Sequence, residues 1–139
     1  MKYVSGLAAL NTHGSDVTCG DWHGDVKTMC APLVMDTESS PLGSWDVGED
    51  VTHEWSGMPV AGHMRACLDL VVSGRGSLAS GMRHEYLGND SLDDEVFGAA
   101  LVLLRGCSRD VTDIVDAFMA SEYRGRWVRA RKAYGNGHQ

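Results

Sequence analysis

The sequence predicts a single α+β domain, in which a small β-containing N-terminal part packs with about four helices. A chain of 139 residues is long enough for one domain with its own hydrophobic core. Residues 1–57 are rich in glycine and short apolar runs, which favours strands and loops. Residues 58–134 instead carry apolar side chains at helical intervals of three and four. The composition changes only softly near Gly57, so we expect one domain, 1–139.

The N-terminal part is predicted to hold short strands between glycine-rich turns. Residues 2–10 are expected to form a strand, or a short strand and turn, because Tyr3 and Val4 favour β structure and Gly6 permits a bend. Residues 11–24 and 36–43 are predicted loops. Three further strand candidates are Val17–Cys19, Pro32–Met35 and Trp45–Trp55, the last an edge hairpin broken at Gly48.

The clearest helix prediction is Met58–Val72, around which the rest of the chain is expected to pack. Pro59 suits a first helical position, where its missing N–H would have no partner. One face of this segment is apolar, formed by Val60, Met64, Cys67, Leu68 and Val71. His63, Arg65 and Asp69 fall mostly off that face.

Two more helices are predicted between residues 77 and 106. Ser77–Leu87 has apolar side chains at four-residue spacing and ends at Gly88. Ser91 is expected to cap the next helix, because acidic residues fill the following turn. Its buried side is predicted to comprise Leu92, Val96, Ala99, Ala100, Leu103 and Leu104. Arg105 and Gly106 are expected to close it.

Asp110 is predicted to cap the last helical region, which is expected to break at Gly125 before Arg126–Tyr134 resumes. Its inward side is expected to comprise Val111, Ile114, Val115 and Phe118. Asp113 and Asp116 are then expected to face solvent.

Charge is distributed unevenly along the chain. Residues 1–57 carry two lysines against nine acids, and residues 58–122 carry five arginines against ten acids. Residues 123–139 carry four arginines, one lysine and no acid. The acidic body disfavours direct nucleic-acid binding and favours a basic partner. We expect Trp127 and Val128 to anchor the basic tail on this body rather than to bind nucleic acid.

The cysteines and the N-terminus predict a cytoplasmic protein without a disulfide, metal ion or other cofactor. The four cysteines, at positions 19, 30, 67 and 107, form no CxxC pair. The N-terminal segment makes a poor signal peptide, and no apolar run approaches the ~18 residues of a membrane-spanning helix.

The sequence leaves three local chemistries open as alternatives. His13, Cys19, His23 and Cys30 are permissible zinc ligands, yet they lack the tight pairs of a structural site. Cys19 beside His23 could act as a nucleophile, although Asp21 opposes thiolate formation. The turn Gly74–Gly76 could bind a phosphate at the following helix N-terminus. It lacks a Walker lysine, however, and is expected to be a connection between two helices.

Five segments carry a resemblance to a known family: YVSGLAALN, CGDWH, HMRACLDLVVSG, LASGMRHEYLGND and FMASEYRGRWVRARK. In these segments the chain resembles a family of small bacterial proteins found near phage-defence genes and mobile elements. The resemblance implies no catalytic motif. It implies instead one of two roles: an anti-CRISPR inhibitor that blocks the DNA-binding surface of a CRISPR effector, or an antitoxin that masks a toxin.

The leading expectation is therefore a non-enzymatic acidic inhibitor of a CRISPR effector, in which carboxylates stand in for phosphates. The partner-binding candidates are Asp93, Asp94, Glu95, Asp113 and Asp116, or Asp46, Glu49, Asp50 and Glu54. The first three also suit the N-terminus of a helix. Trp45 and Trp55 are candidates for an apolar docking surface. The alternatives are an antitoxin and a metalloprotein or enzyme centred on Cys19 and His23.

Overall fold

The sheet has four short strands in the order β2-β1-β4-β3. The structure, a computed structural model, describes residues 1–12, 18, 33–50 and 53–137, with side chains to residue 134. The strands are β1 (Lys2–Ser5), β2 (Leu33–Asp36), β3 (Val47–Gly48) and β4 (Val60–Ala61). β1 pairs antiparallel with β2, placing Lys2 opposite Asp36, and parallel with β4. The strand expected near residues 32–35 is thus confirmed.

Two of the strand predictions need comment. The expected hairpin over Trp45–Trp55 is wrong. Val47 and Gly48 pair antiparallel with Ala61 and Val60 of β4, not with residues nearer to Trp55. β3 is still an edge strand, as its pattern predicted. The candidate strand Val17–Cys19 falls outside the described residues, apart from Thr18.

Helix α1 (Gly6–Leu10) follows β1 without a connecting loop. The sequence predicted a bend here, and Gly6 supplies it with a φ of +69°. A Cβ at this position would lie 3.1 Å from Leu33 Cβ, so the close approach of α1 to β2 also leaves little room for a side chain.

Helix α2 (His63–Val72) is shorter than predicted and buried on all sides. Its predicted first turn is instead β4, and the Pro59 carbonyl accepts a 2.8 Å hydrogen bond from Val4 N. Nine of the ten helix residues are buried, including His63, Arg65 and Asp69. The expectation that these three lie off the buried face is wrong. A helix covered by β1, α1 and the later helices has no solvent face on which to place them.

The segment after α2 contains two short helical turns rather than one helix. A 3₁₀ turn covers Gly76–Ala79, and a π-helical turn covers Met82–Leu87. Gly81 separates them with a φ of +85°, which no continuous right-handed helix contains. Gly88 ends the second turn in a left-handed conformation, as expected.

Three longer helices complete the fold: α3 (Asp93–Gly106), α4 (Arg109–Tyr123) and α5 (Gly125–Gly137). Two caps differ from prediction. Asn89, not Ser91, accepts the capping hydrogen bond before a 3₁₀ turn at Asp90–Leu92. Ser108, not Asp110, caps α4, since its hydroxyl accepts from Val111 N. The predicted break between the last helices is confirmed, at Arg124 with a φ of +53°.

The predicted α+β class is confirmed, and α2 lies at the centre of one hydrophobic core. The largest fully buried apolar side chains of this core are Trp127, Tyr3, Tyr123, Leu10, Leu68 and Leu70. Within the described ranges, no helix is long and apolar enough to cross a membrane.

Candidate functional site

The acidic residues at the start of α3 divide into one buried and two exposed carboxylates. Asp93 is buried, and its Oδ2 lies 3.1 Å from Arg126 Nη2, an ion pair without an aligned hydrogen bond. Burial raises the pKa of Asp93, although Arg126 and Arg83 act to lower it. Asp94 and Glu95 are exposed. Asp93 is therefore buried in a contact with Arg126 of α5 rather than displayed to a partner, contrary to expectation.

The two acids predicted to face solvent on α4 also differ. Asp113 is exposed, as expected. Asp116 is only half exposed, because its Oδ1 accepts a 2.9 Å hydrogen bond from Trp127 Nε1 and its Oδ2 pairs with Arg131. α5 lies against α4 on the side that carries Asp116. The carboxylate is therefore engaged in contacts within the molecule and is not free for a partner.

The acids between residues 46 and 54 are mostly turned toward the fold. Asp46 Oδ2 accepts a 3.0 Å hydrogen bond from Arg65 N and so caps α2 from outside the helix. Asp50 is buried and accepts a 2.7 Å hydrogen bond from Trp55 N. Glu54 is half-buried, and Glu49 is exposed. Of the four, only Glu49 is exposed.

The tryptophans of this region do not form an exposed apolar surface. Trp45 and Trp55 are both partly buried and pack against the core. Trp55 Nε1 also donates a 3.0 Å hydrogen bond to Thr12 Oγ1. The expectation of two exposed aromatic contacts is therefore wrong.

An exposed acidic surface lies on the first half of α4. Asp110 and Asp113 are exposed and one helical turn apart, and Ile114 beside them is 44% exposed. We call these three residues the α4 acidic face. Sequence reasoning missed two of its members. It predicts Asp110 as a cap, although Ser108 at the true N-cap position was the available signal, and it predicts Ile114 on the buried side.

Trp127 anchors the basic tail on the body, as predicted, whereas Val128, the other expected anchor, is 48% exposed. Trp127 is 1% exposed and packs against Phe97, with ring centroids 5.8 Å apart. Phe97 also meets Tyr123 edge-on at 5.1 Å. Arg126 and Arg131 add their ion pairs to Asp93 and Asp116 on either side of this aromatic group. Trp127 is consequently a core residue and presents no ring face on which a base could stack.

A buried polar network joins β1 to α2. Asp69 accepts hydrogen bonds of 2.7 Å from both Tyr3 Oη and Ser5 Oγ, and one of 3.0 Å from Arg65 Nε. Arg65 Nη1 donates to the carbonyls of Gly43 and Trp45. Burial, followed by the charge of Asp69, raises the pKa of Tyr3. All partners are internal, so the network fixes the fold and offers no nucleophile to solvent.

The described part of the chain brings together no group of three metal-ligating side chains. Cys67 is buried, and burial raises the pKa of its thiol. His63 is buried, and its Nδ1 lies 2.5 Å from Thr18 Oγ1. The proposed ligands and nucleophile, His13, Cys19, His23 and Cys30, all fall outside the described residues.

No protein-family model matches this chain, and comparisons with curated proteins and with solved structures likewise return no match.

Proposed function

We propose that this protein is a non-enzymatic inhibitor that binds the basic, nucleic-acid-binding surface of a CRISPR effector, as an anti-CRISPR protein does. The observation that carries the proposal is the α4 acidic face. Asp110 and Asp113 offer two carboxylates on one helical surface, and Ile114 beside them offers apolar area to bury. Asp94 and Glu95 are further exposed carboxylates at the start of α3.

Electrostatic attraction supports this choice of partner. The chain carries a formal net charge of −7 at pH 7. A basic groove that normally holds phosphates attracts such a surface over a distance, which raises the association rate. Carboxylates placed at the groove then compete with phosphates for the same arginine and lysine side chains.

The experiment measures binding to a panel of purified CRISPR effectors, together with DNA cleavage by each effector. We expect binding to one effector to block its cleavage and to weaken as the salt concentration rises from about 50 to 200 mM. Asp110→Lys with Asp113→Lys should lower the affinity by at least about tenfold. Asp94→Lys with Glu95→Lys tests the second acidic surface in the same way.

The matched control is Glu38→Lys with Glu85→Lys, which reverses two exposed acids, on the 3₁₀ turn after β2 and on the π-helical turn. It should leave affinity close to that of the parent. Binding that ignores salt and both double reversals would contradict the proposal. Capture of a toxin, with no effector bound, would favour an antitoxin instead.

A further inference from the structure

The outward side of α5 is a separate charged surface that the acidic inhibitor role does not use. Trp127 and Ala130 face the core, and Tyr134 lies near Arg105 of α3. At 3.6 residues per turn, this leaves Arg129 and Lys132 on the opposite side, and both are exposed. Arg126 and Arg131 flank them at the edges toward α3 and α4. We call these four residues the α5 basic face.

Intramolecular ion pairs neutralise only part of this charge. Arg126 pairs with Asp93, and Arg131 pairs with Asp116. Within the described ranges, Arg129 and Lys132 make no ion pair. Two cations therefore remain in solvent at the centre of the face, with a half-exposed arginine on each side.

Two shallow grooves run beside α5, and each is lined by two of these cations. The groove toward α3 has a volume of about 340 Å³ and is lined by Arg126 and Arg129 together with Asp94. The groove toward α4 has a volume of about 380 Å³ and contains Arg131 and Lys132. Asp116, the acid in the second groove, is already occupied by Trp127 and Arg131.

We propose that the α5 basic face binds the phosphate backbone of a single-stranded nucleic acid. Arg126, Arg129 and Lys132 follow at three-residue intervals, about 4.5 Å apart along the helix axis. An extended chain of phosphates can therefore meet them in turn. Guanidinium groups suit phosphate oxygens because two parallel N–H donors match two acceptors.

The surroundings of the face narrow the choice of ligand. Trp127 is buried and cannot stack on a base, so the contacts are to backbone and independent of sequence. The apolar side of α5 is used in packing, which disfavours insertion into a membrane surface. The acidic body, including Asp94 in the groove toward α3, opposes a polyanion, as the sequence analysis expects, so we expect the binding at Arg129 and Lys132 to be weak.

This inference rests on the proposed function for its biological source of nucleic acid, namely the strand that the effector carries beside its basic surface. α4 and α5 are neighbouring helices, so one partner can meet the α4 acidic face with protein and the α5 basic face with nucleic acid. The binding itself is tested without the effector.

The test titrates the full chain into fluorescently labelled 20-nucleotide single-stranded RNA and DNA, and follows anisotropy at about 50 to 200 mM salt. We expect weak, sequence-independent binding. The logarithm of the association constant should fall linearly with the logarithm of the salt concentration. Arg129→Glu with Lys132→Glu should weaken binding at least tenfold. It should also reduce the salt slope by about 0.7 for each phosphate that the variant no longer neutralises.

The control pair is Lys2→Glu with Arg75→Glu, which makes the same charge change at exposed positions on β1 and after α2. This control should retain most of the binding. The proposal fails if neither oligonucleotide binds at low salt, if the control weakens binding as much as the test pair does, or if polyglutamate binds equally well. Effector binding abolished only by the Asp110 and Asp113 reversals would leave the proposed function standing even then.

Discussion

Trp127 Nε1 donates a 2.9 Å hydrogen bond to Asp116 Oδ1, which ties the last helix to the one before it. The same carboxylate pairs with Arg131 one turn farther along α5. A single acid thus orients an indole and a guanidinium from one helix. This explains why a helix with three arginines and one lysine packs along an acidic body instead of extending into solvent.

The first prediction concerns this anchor. We expect Trp127→Ala to lower the free energy of unfolding by about 3–5 kcal/mol, because it removes a buried ring and leaves a cavity beside Phe97. Trp127→Phe should cost less, since it keeps most of the ring and Asp116 keeps Arg131. Urea unfolding followed by circular dichroism measures both. An alanine variant as stable as the parent would show that α5 contributes little to the fold.

The second prediction concerns the buried network at Asp69. Asp69→Asn should lower the free energy of unfolding by about 3–5 kcal/mol, because Arg65 would remain buried without its counter-charge. Asp90→Asn is the control, since Asp90 is exposed and lies 3.6 Å from Arg83. Its cost should stay below about 1 kcal/mol. Equal stabilities of the two variants in urea would contradict the role assigned to Asp69.

The third prediction concerns Gly62 and Asp46. A Cβ at Gly62 would overlap the Asp46 carboxylate, which caps α2 at Arg65 N. Gly62→Ala should therefore destabilise the fold by about 1–3 kcal/mol. Asp46→Gly removes the obstacle and suits the φ of +53° at that position.

When Gly62→Ala is combined with Asp46→Gly, the added methyl group should lower the free energy of unfolding much less than it does in the parent. We expect a coupling energy of about 1 kcal/mol or more between the two positions. The four chains are compared by urea unfolding. Strictly additive effects would mean that Asp46 is not what limits space at Gly62.

The fourth prediction concerns pH and Asp93. Burial raises the pKa of this carboxyl group, so the folded chain holds its proton more tightly than the unfolded chain does. Its contribution to stability is therefore full below the unfolded pKa of about 3.9 and is lost as pH rises through the raised folded value. Asp93→Asn should be at least as stable as the parent at neutral pH.

The difference in unfolding free energy between Asp93→Asn and the parent should shrink as the pH falls through the raised pKa of Asp93. Urea unfolding at several pH values measures this difference. Asp94→Asn, an exposed neighbour, controls for the change in net charge. A variant at residue 93 that is less stable than the parent at neutral pH would show that the ion pair with Arg126 outweighs burial.

The sequence by itself determined the α+β class, the long helices and the anchoring of the tail. These features follow from local patterns: apolar side chains at intervals of three and four over residues 93–123, and a block of cations after an acidic body. The break before α5 was also predictable, because Gly125 interrupts a strong helical pattern.

Only the tertiary structure decided which charges are buried. Periodicity placed Arg65 and Asp69 off the apolar face, but Tyr3 and Ser5, more than sixty residues earlier in the chain, receive Asp69 in the core. It placed Asp116 in solvent, whereas α5 returns to cover it. A pattern within one helix reports how its side chains are spaced. It does not report which later or earlier segment covers each face, and that cover decides whether a carboxylate is structural or available to a partner.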